Sequence, residues 1–140
     1  VACLKEILSR GHELGNHGYF HKDHASLSEG ENKEEISLCN RFVKLTTGAD
    51  MTLFAPPSGA YGKETLAVCE SLGMKTILWS RDKNASLVYT RATKDIEGGE
   101  FVLMHPMEAT ADALGDILTY YKTHSLRAVT VSENLQDNGG

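Results

Sequence analysis

Residues 11–24, with the sequence GHELGNHGYFHKDH, contain four of the chain's six histidines and decide how the rest of the sequence is interpreted. His17 and His21 are four residues apart, and on a helical turn side chains with this spacing face the same side. Both imidazoles could then bind one metal ion, with Asp23 as a conceivable third ligand. The alternative is a polar, solvated loop that is rich in histidine. The other two histidines of the stretch have no assigned chemistry.

The composition is typical of a single globular domain, which we predict to cover residues 1–140. Hydrophobic residues make up 41% of the chain, yet no apolar run approaches the roughly 20 residues that a membrane-spanning helix needs. The net charge of −5 and the lack of a Lys/Arg cluster argue against nucleic acid as a partner. The three cysteines lie far apart and form no CxxC pair, so we interpret them as small, buried apolar residues.

Caps and apolar spacing mark the helices. The first helix is predicted to end with Gly11 as its cap, and because the sequence opens inside that helix we expect at least one further element upstream of it. Ser28 and Glu31 have the spacing of a capping box, which predicts a second helix that runs to about Thr47 and stops at Gly48. The residues predicted to line the inner face of this second helix are Ile36, Cys39, Phe42 and Val43.

Short apolar runs alternate with the helices and are predicted as strands. Their ranges are 51–54, 75–80, 100–105 and 127–131. Two more helices are predicted over 64–72 and 110–124. Nearly all-apolar strands that alternate with helices indicate a parallel sheet covered by helices. A closed or nearly closed barrel and an open doubly wound sheet both fit this pattern.

Polar residues follow the predicted strands at their carboxyl ends, where both architectures gather functional groups. They are His17, the Pro56-Pro57-Ser58 turn, Asp82 and His105. Because imidazoles exchange protons near neutral pH, His105 could serve as a general acid beside a metal, with Asp82 orienting its ring. A hydrogen-bonded structural histidine and a turn-capping aspartate are the alternatives for these two residues.

Four of these stretches, in this order, resemble the motifs of the polysaccharide deacetylases of the NodB-homology type, carbohydrate esterase family four. The family's second motif, Asn-His-Ser/Thr-x-x-His, is similar to residues 16–21, and its third, Arg-x-Pro-Tyr/Phe-Gly, is similar to residues 55–59. The fourth motif, an aromatic strand ending in Asp, resembles residues 78–82, and the fifth, Leu-x-His, resembles residues 103–105. Residues 130–135 look like the family's closing strand and final turn, so the resemblance covers essentially the whole chain.

The resemblance implies an α/β fold, a distorted (β/α) barrel of the NodB type that is incomplete because its N-terminal strand or strands are missing. It also implies a metal-dependent hydrolase that removes N-acetyl groups from a polysaccharide. His17 and His21 would then bind a divalent metal, with zinc expected and cobalt or nickel as alternatives. The family's metal-binding and general-base aspartates belong to its first motif, which we expect upstream of the first residue.

The resemblance also assigns the remaining site residues. It makes His105 the acid that protonates the leaving amine, with Asp82 as the carboxylate that tunes it. Leu103 would help wall the acetyl pocket. The backbone N–H of Ser58, directly after Pro57, would stabilise the tetrahedral oxyanion.

The expected partner is an N-acetylated glycan such as peptidoglycan or chitin, and the expected location is extracellular or in the cell envelope. Three residues depart from the family motifs: Gly18 replaces Ser or Thr, Ala55 replaces Arg, and Ser58 replaces an aromatic residue. They motivate an alternative, a catalytically inactive NodB-like domain that binds glycan or has a structural role in the envelope. A third possibility, an unrelated small-molecule binding domain with incidental histidines, leaves the order of the motifs unexplained.

Overall fold

The computed structural model describes residues 1–80 and 87–138 and shows two compact units, Val1–Leu78 and Trp79–Gly140. Asp82 lies outside the described residues, so its predicted role stays a prediction. The prediction of a single domain for the whole chain likewise stays a prediction. Each unit is described by itself below.

The first unit contains three α-helices. Their bounds are Ala2–Ser9 (α1), Glu29–Thr47 (α2) and Lys63–Ser71 (α3). The capping box predicted for α2 is present: the Ser28 hydroxyl accepts the Glu31 N–H at 3.4 Å, and the Glu31 carboxylate accepts the Ser28 N–H at 2.9 Å. The helix ends at Gly48, whose φ of 81° lies in the left-handed region that glycine adopts without a Cβ clash. The predicted start and end of α2 are confirmed.

Parallel pairing directs the loops of the first unit to one edge of its sheet. Strands β1 (Leu53–Phe54) and β2 (Lys75–Thr76) pair in parallel, and Asn16 adds an isolated parallel bridge to β1. The Ala55 N–H donates to the Asn16 carbonyl oxygen at 2.9 Å. Because the three segments run in the same direction, His17 and Ala55, which follow them, leave the sheet at its carboxyl edge.

The core of the first unit lies between α2, α3 and the strands. Its buried members are Ile36, Val43, Met51, Phe54, Val68, Cys69 and Met74. Ile36 and Val43 are seven residues apart and share one face of α2, with Cys39 packed half-buried between them. Phe42 was predicted on this face but is 43% exposed, since six residues from Ile36 corresponds to a rotation of about 120° away from it.

The second unit is helical in its described part. Its helices are Val88–Thr93 (α4), Glu108–Thr123 (α5) and Val131–Asn138 (α6). Val88, Ala92 and Ile117 form its buried core. The Tyr121 hydroxyl donates to the Ala92 carbonyl oxygen at 2.8 Å, which ties α5 to α4. In neither described range is a helix both long and apolar enough to cross a membrane.

The strands predicted late in the chain are shorter than the apolar runs or do not form among the described residues. The run 75–80 pairs as a strand only over β2, and the run 100–105 contributes a single bridge residue, Val102. The Ser80 N–H donates to the Phe101 carbonyl oxygen at 3.1 Å. The Phe101 N–H, however, donates to the Ser80 side-chain hydroxyl, also at 3.1 Å, and not to a backbone carbonyl oxygen. Because a side-chain oxygen replaces a strand carbonyl there, the ladder does not continue.

The strand predicted over residues 127–131 is wrong, because the chain begins α6 at Val131. Thr130 and Glu133 form a second capping box: the Glu133 carboxylate accepts the Thr130 N–H at 2.9 Å, and the Thr130 hydroxyl accepts the Glu133 N–H at 3.2 Å. These local hydrogen bonds satisfy the backbone groups that a strand would have offered to a neighbour.

Candidate metal-binding site

Asn16 anchors the loop that carries the two candidate histidine ligands. Its side chain is buried, and its amide nitrogen donates to the Ile36 carbonyl oxygen and to the Asn40 side-chain oxygen, each at 2.8 Å. Its own side-chain oxygen accepts the Gly18 N–H at 2.8 Å. Since Asn16 and Gly18 flank His17, the Asn16 side chain, which is itself bound to α2, holds the backbone on both sides of the first candidate ligand.

The structure brings His17 and His21 together. Their ring centroids are 4.9 Å apart at an interplanar angle of 70°, and both side chains are exposed. The pairing does not come from a helical turn, as the sequence spacing suggested, because residues 17–24 form a loop. The positive φ angles of Gly18 (77°) and His21 (55°) turn the chain back so that the rings meet.

A backbone carbonyl fixes the orientation of the His17 ring. Nδ1 of His17 lies 2.6 Å from the Ala55 carbonyl oxygen. Because a carbonyl oxygen only accepts, Nδ1 carries the hydrogen and the lone pair of Nε2 is left for a metal. Metal-binding histidines in proteins are oriented by hydrogen bonds of this kind. The backbone of Ala55 makes this contact, so its small side chain does not affect it.

The two histidines fit as part of a divalent metal's ligand set. Imidazole nitrogens suit zinc, cobalt and nickel alike. Within residues 1–80 and 87–138, no group of three His, Cys, Asp or Glu side chains is arranged to hold a metal ion. Asp23, the conceivable third ligand, instead accepts the Ala25 N–H at 3.0 Å and closes its own turn. The candidate ligands among the described residues are therefore two imidazoles.

The Cys39 thiol lies close to this loop but is held in its neutral form. Burial raises its pKa; the backbone N–H of His17, which donates to the thiol, opposes this shift, and the charge of Glu35 adds to it. Cys39 is also half-buried and packs against the core of the first unit. Cys39 therefore serves as a packing residue beside the histidine pair.

The loop after β1 packs against the histidine loop. Pro57–Gly59 forms a 3-10 turn in which Pro57 is buried and Ser58 is exposed with a φ of 56°. A Cβ placed on Gly18 would lie 3.6 Å from Cγ of Pro57, so the second and third motifs are in contact. The oxyanion role of the Ser58 N–H stays a prediction.

His24 has a structural position that the sequence did not reveal. It is fully buried, its Nδ1 lies 2.7 Å from Oδ1 of Asn32, and its ring centroid lies 4.9 Å from that of Phe54. Its Nε2 has no hydrogen-bond partner among the described residues. A Cβ on Gly18 would lie only 2.8 Å from this Nε2, so the His24 ring fills the space beside Gly18.

The predicted residues of the fifth motif belong to the second unit. Leu103 is half-buried, and His105 is exposed where the apolar run ends. The His105 carbonyl oxygen accepts the Met107 N–H at 2.8 Å, which forms the turn into α5. Their assignments as a pocket wall and a general acid stay predictions.

Sequence reasoning missed the residues that support the histidine loop, namely Asn16 as an anchor, Asn32, Glu35 and His24. Each of these residues supports the loop through a contact with α2. No local pattern in the sequence predicts such a contact. The one available signal was the polar character of Asn32 and Glu35 at helix positions that lie near the buried Ile36.

Two features of the first unit indicate the class of protein: its parallel α/β architecture and the histidine pair at the carboxyl edge of its strands. The family profile for polysaccharide deacetylase matches residues 2–77, which is more than half of the chain. The chain belongs to the polysaccharide deacetylase family. This membership confirms the resemblance read from the motifs and removes the unrelated small-molecule binding domain as an alternative.

Curated relatives cover nearly the whole chain. It is 34% identical over 98% of its length to the uncharacterized protein YlxY of Bacillus subtilis, of which it covers 45%. It is 31% identical over 95% of its length to a peptidoglycan-N-acetylglucosamine deacetylase of Bacillus cereus, of which it covers 68%. It is 31% identical over 93% of its length to PgdA, an enzyme of the same name from Listeria monocytogenes, of which it covers 29%. The chain thus spans about half or less of several relatives.

Solved structures confirm the predicted fold class. A carbohydrate esterase family 4 pseudoenzyme from Bacillus anthracis matches 94% of the chain at 30% identity with a TM-score of 0.88, and the match covers 49% of that protein. A family 4 carbohydrate esterase from Streptomyces lividans matches 91% of the chain with a TM-score of 0.85, and the match covers 69% of that protein; at 20% identity it supports the fold alone. The chain therefore has the NodB-type α/β fold.

Proposed function

We propose that this chain carries part of the catalytic core of a metal-dependent deacetylase that removes N-acetyl groups from a polysaccharide. The observation that carries the proposal is the contact between the His17 and His21 rings at the carboxyl edge of the sheet, with Nδ1 of His17 held by the Ala55 carbonyl oxygen. This arrangement leaves His17 Nε2 free to bind a metal, and the chain belongs to a deacetylase family.

A bound divalent metal, zinc in this proposal, would polarise the acetamide carbonyl and activate a water molecule. His17 and His21 would hold the ion, and the loop around Gly18 sets the distance between their rings. The water would lose a proton to a general-base carboxylate of the kind that the family's first motif supplies, and the backbone N–H of Ser58 would donate to the oxyanion that forms when the resulting hydroxide adds to the carbonyl carbon. His105 then gives a proton to the leaving nitrogen as the C–N bond breaks, with Asp82 orienting the His105 ring.

The substrate proposed is an N-acetylated cell-wall glycan, with peptidoglycan first and a chitin-like polymer second. The names of the Bacillus cereus and Listeria monocytogenes relatives specify peptidoglycan N-acetylglucosamine. A site for such a polymer needs an acetyl pocket, whose wall Leu103 would form. An extracellular or envelope location follows from the same substrate.

Acetate release tests this function. The whole protein, of which this chain forms part of the catalytic core, is supplied with zinc, or separately with cobalt, and incubated with peptidoglycan and with chitooligosaccharides. We expect acetate from at least one glycan, and we expect its release and the bound metal to be lost in the His17→Ala/His21→Ala double variant. His12→Ala, an exposed histidine of the same stretch, is the matched control and should leave both unchanged. Unchanged metal content in the double variant would contradict the site assignment.

The second candidate function is an inactive NodB-like protein that binds glycan. The similarity to the Bacillus anthracis pseudoenzyme keeps this function open, together with Ala55 and Ser58 in place of the family's Arg and aromatic residue. Glycan binding without acetate release in the metal-loaded protein would support this function. Acetate release that disappears in His105→Ala would exclude it.

A further inference from the structure

Glu35 is a buried carboxylate that none of the family motifs contains. Its side chain is 2% exposed, although it lies on α2 beside the core residue Ile36. Oε2 accepts the Phe20 backbone N–H at 2.9 Å, and Oε1 lies 3.2 Å from Nζ of Lys22. A carboxylate at this depth is stable only when both oxygens have partners, and here both partners come from the histidine loop.

The two partners of Glu35 lie directly on either side of His21. The φ of His21 is 55°, in the left-handed region that residues with a Cβ rarely adopt. Such a conformation persists when the surrounding contacts impose it. The hydrogen bond from the Phe20 N–H to Glu35 fixes the backbone before His21, and the Lys22 ammonium adds a side-chain tether after it, so both contacts favour the turn.

The same helix holds the loop at its other end. Asn16 binds the Ile36 carbonyl oxygen and Asn40 of α2, and its side-chain oxygen accepts the Gly18 N–H. The contacts of Asn16 with α2 and with Gly18 thus hold the backbone around His17. The contacts of Glu35 hold the backbone around His21. The 4.9 Å separation of the two rings follows from both sets of contacts.

We propose that Glu35 is a positioning residue for the metal site: it holds His21 in the left-handed turn that directs its ring toward His17. The inference rests on the proposed function, since it concerns the same two histidines. Glu35 does not touch the metal in this role. It lowers the free-energy cost of bringing the His17 and His21 rings together, because it fixes the loop before an ion binds.

The test compares Glu35→Gln and Glu35→Ala with Glu34→Gln, which removes the same charge from an exposed neighbouring position of α2. Zinc affinity is measured by titration calorimetry, and the ligand geometry is followed by the visible spectrum of the cobalt-loaded protein. We expect Glu35→Ala to weaken zinc binding by about 10-fold or more, as for other residues that orient metal ligands. Glu35→Gln keeps an acceptor for the Phe20 N–H, so we expect a smaller loss. Glu34→Gln should match the wild type.

The Lys22→Met variant distinguishes a positioning role of Glu35 from a purely electrostatic effect of its charge on zinc binding. Removing a nearby positive charge should tighten zinc binding if Glu35 acts only through its charge. If Glu35 positions the loop, the loss of the Lys22 contact should weaken zinc binding instead. Amide exchange of Phe20 in the metal-free protein gives a further readout: it should speed up in Glu35→Ala and stay unchanged in Glu34→Gln.

The outcomes separate this inference from the proposed function. Zinc binding by the wild type that persists in His17→Ala/His21→Ala overturns the proposed function and the inference with it. If the histidines bind zinc and both Glu35 variants bind it as tightly as the wild type, only the positioning role of Glu35 is overturned. Tighter binding in Lys22→Met does the same. If Glu35→Ala fails to fold by circular dichroism, Glu35→Gln and Lys22→Met decide.

Discussion

At the scale of single residues, Gly18 and His24 form a tightly packed pair under the histidine loop. Gly18 has a φ of 77°, and a Cβ on it would lie 2.8 Å from Nε2 of His24. Gly18→Ser, which restores a residue of the family motif, should therefore destabilise the protein. We expect a loss of about 1–3 kcal/mol in the free energy of unfolding, measured with urea.

The control for this change is Gly11→Ser. Gly11 has a similar φ of 80° but nothing within 4 Å of its Cβ position, so this variant bears the backbone cost without the clash. A double-mutant cycle with His24→Ala then isolates the contact. We expect Gly18→Ser to cost less in the His24→Ala background, with a coupling of about 1 kcal/mol. Equal losses at the two glycines would show that His24 does not restrict residue 18.

The cysteines give a second prediction at the residue scale. Cys3 is exposed, whereas burial raises the pKa of the Cys39 and Cys69 thiols. A raised pKa means less thiolate at a given pH, and the thiolate is the reactive form. We expect an alkylating reagent at pH 8 to modify Cys3 first, and the reaction of the other two to increase as the pH approaches and passes 9. Mass spectrometry of the digested protein follows each site, and faster labelling of Cys39 than of Cys3 would contradict the half-buried position of Cys39.

The residue scale also shows where the sequence was informative. The spacing and motif context of His17 and His21 predicted that they act as a pair, and their rings are in contact. Cys3 does not fit the interpretation of the cysteines as buried residues. Glu35 and His24 could not be predicted, because their roles depend on contacts across 15 and 8 positions with Phe20 and Asn32 that only the folded loop defines.

At the scale of elements, the capping box of α2 makes a pH-dependent contribution to stability. Hydrogen bonds from the Ser28 hydroxyl and the Ser28 backbone N–H lower the pKa of the Glu31 carboxyl below its ordinary value of 4.5. A carboxyl whose pKa is lower in the folded state stabilises that state above its unfolded pKa, and the contribution is lost as the pH falls through the folded pKa. The cap should therefore support α2 at neutral pH and fail in acid.

Unfolding by urea at pH 7 and at pH 3 measures this contribution. Glu31→Gln should reduce the difference in unfolding free energy between the two pH values, while Glu34→Gln, on an exposed position of the same helix, should not. Ser28→Ala should cost about 1 kcal/mol at pH 7, as is usual for a lost N-cap. An unchanged pH dependence in Glu31→Gln would mean that the cap does not contribute to folding.

Elements differ in how well the sequence predicted them. The limits of α2 follow from Ser28, Glu31 and Gly48, because caps act through contacts a few residues apart. The strand lengths predicted from the sequence are too long. An apolar run indicates that a segment is buried, whereas strand pairing also requires a neighbouring segment with free backbone N–H and C=O groups. Residues 127–131 show this limit, since the Thr130-x-x-Glu133 signature of a helix start was present in the sequence and outweighed the alternating pattern.

At the scale of the whole molecule, the family signal and the architecture coincide. The family profile matches residues 2–77, and the first compact unit covers Val1–Leu78. This unit contains the parallel ladder, the histidine loop and the turn after β1. Phe54 links them, because it is fully buried, belongs to β1 and contacts the ring of His24. The core that stabilises the first unit therefore also supports the candidate metal site.

If the histidine loop binds zinc, the ion should stabilise the molecule, since a ligand that binds only the folded state adds to its free energy of unfolding. Zinc at 100 times its dissociation constant adds about 2.7 kcal/mol. For a chain of 140 residues this corresponds to a rise in melting temperature of roughly 5–15 °C. Circular dichroism should show the rise in the wild type and in His12→Ala but not in His17→Ala/His21→Ala. A similar rise in the double variant would place the bound zinc elsewhere, and no rise in the wild type would mean that the two imidazoles do not bind the ion tightly by themselves.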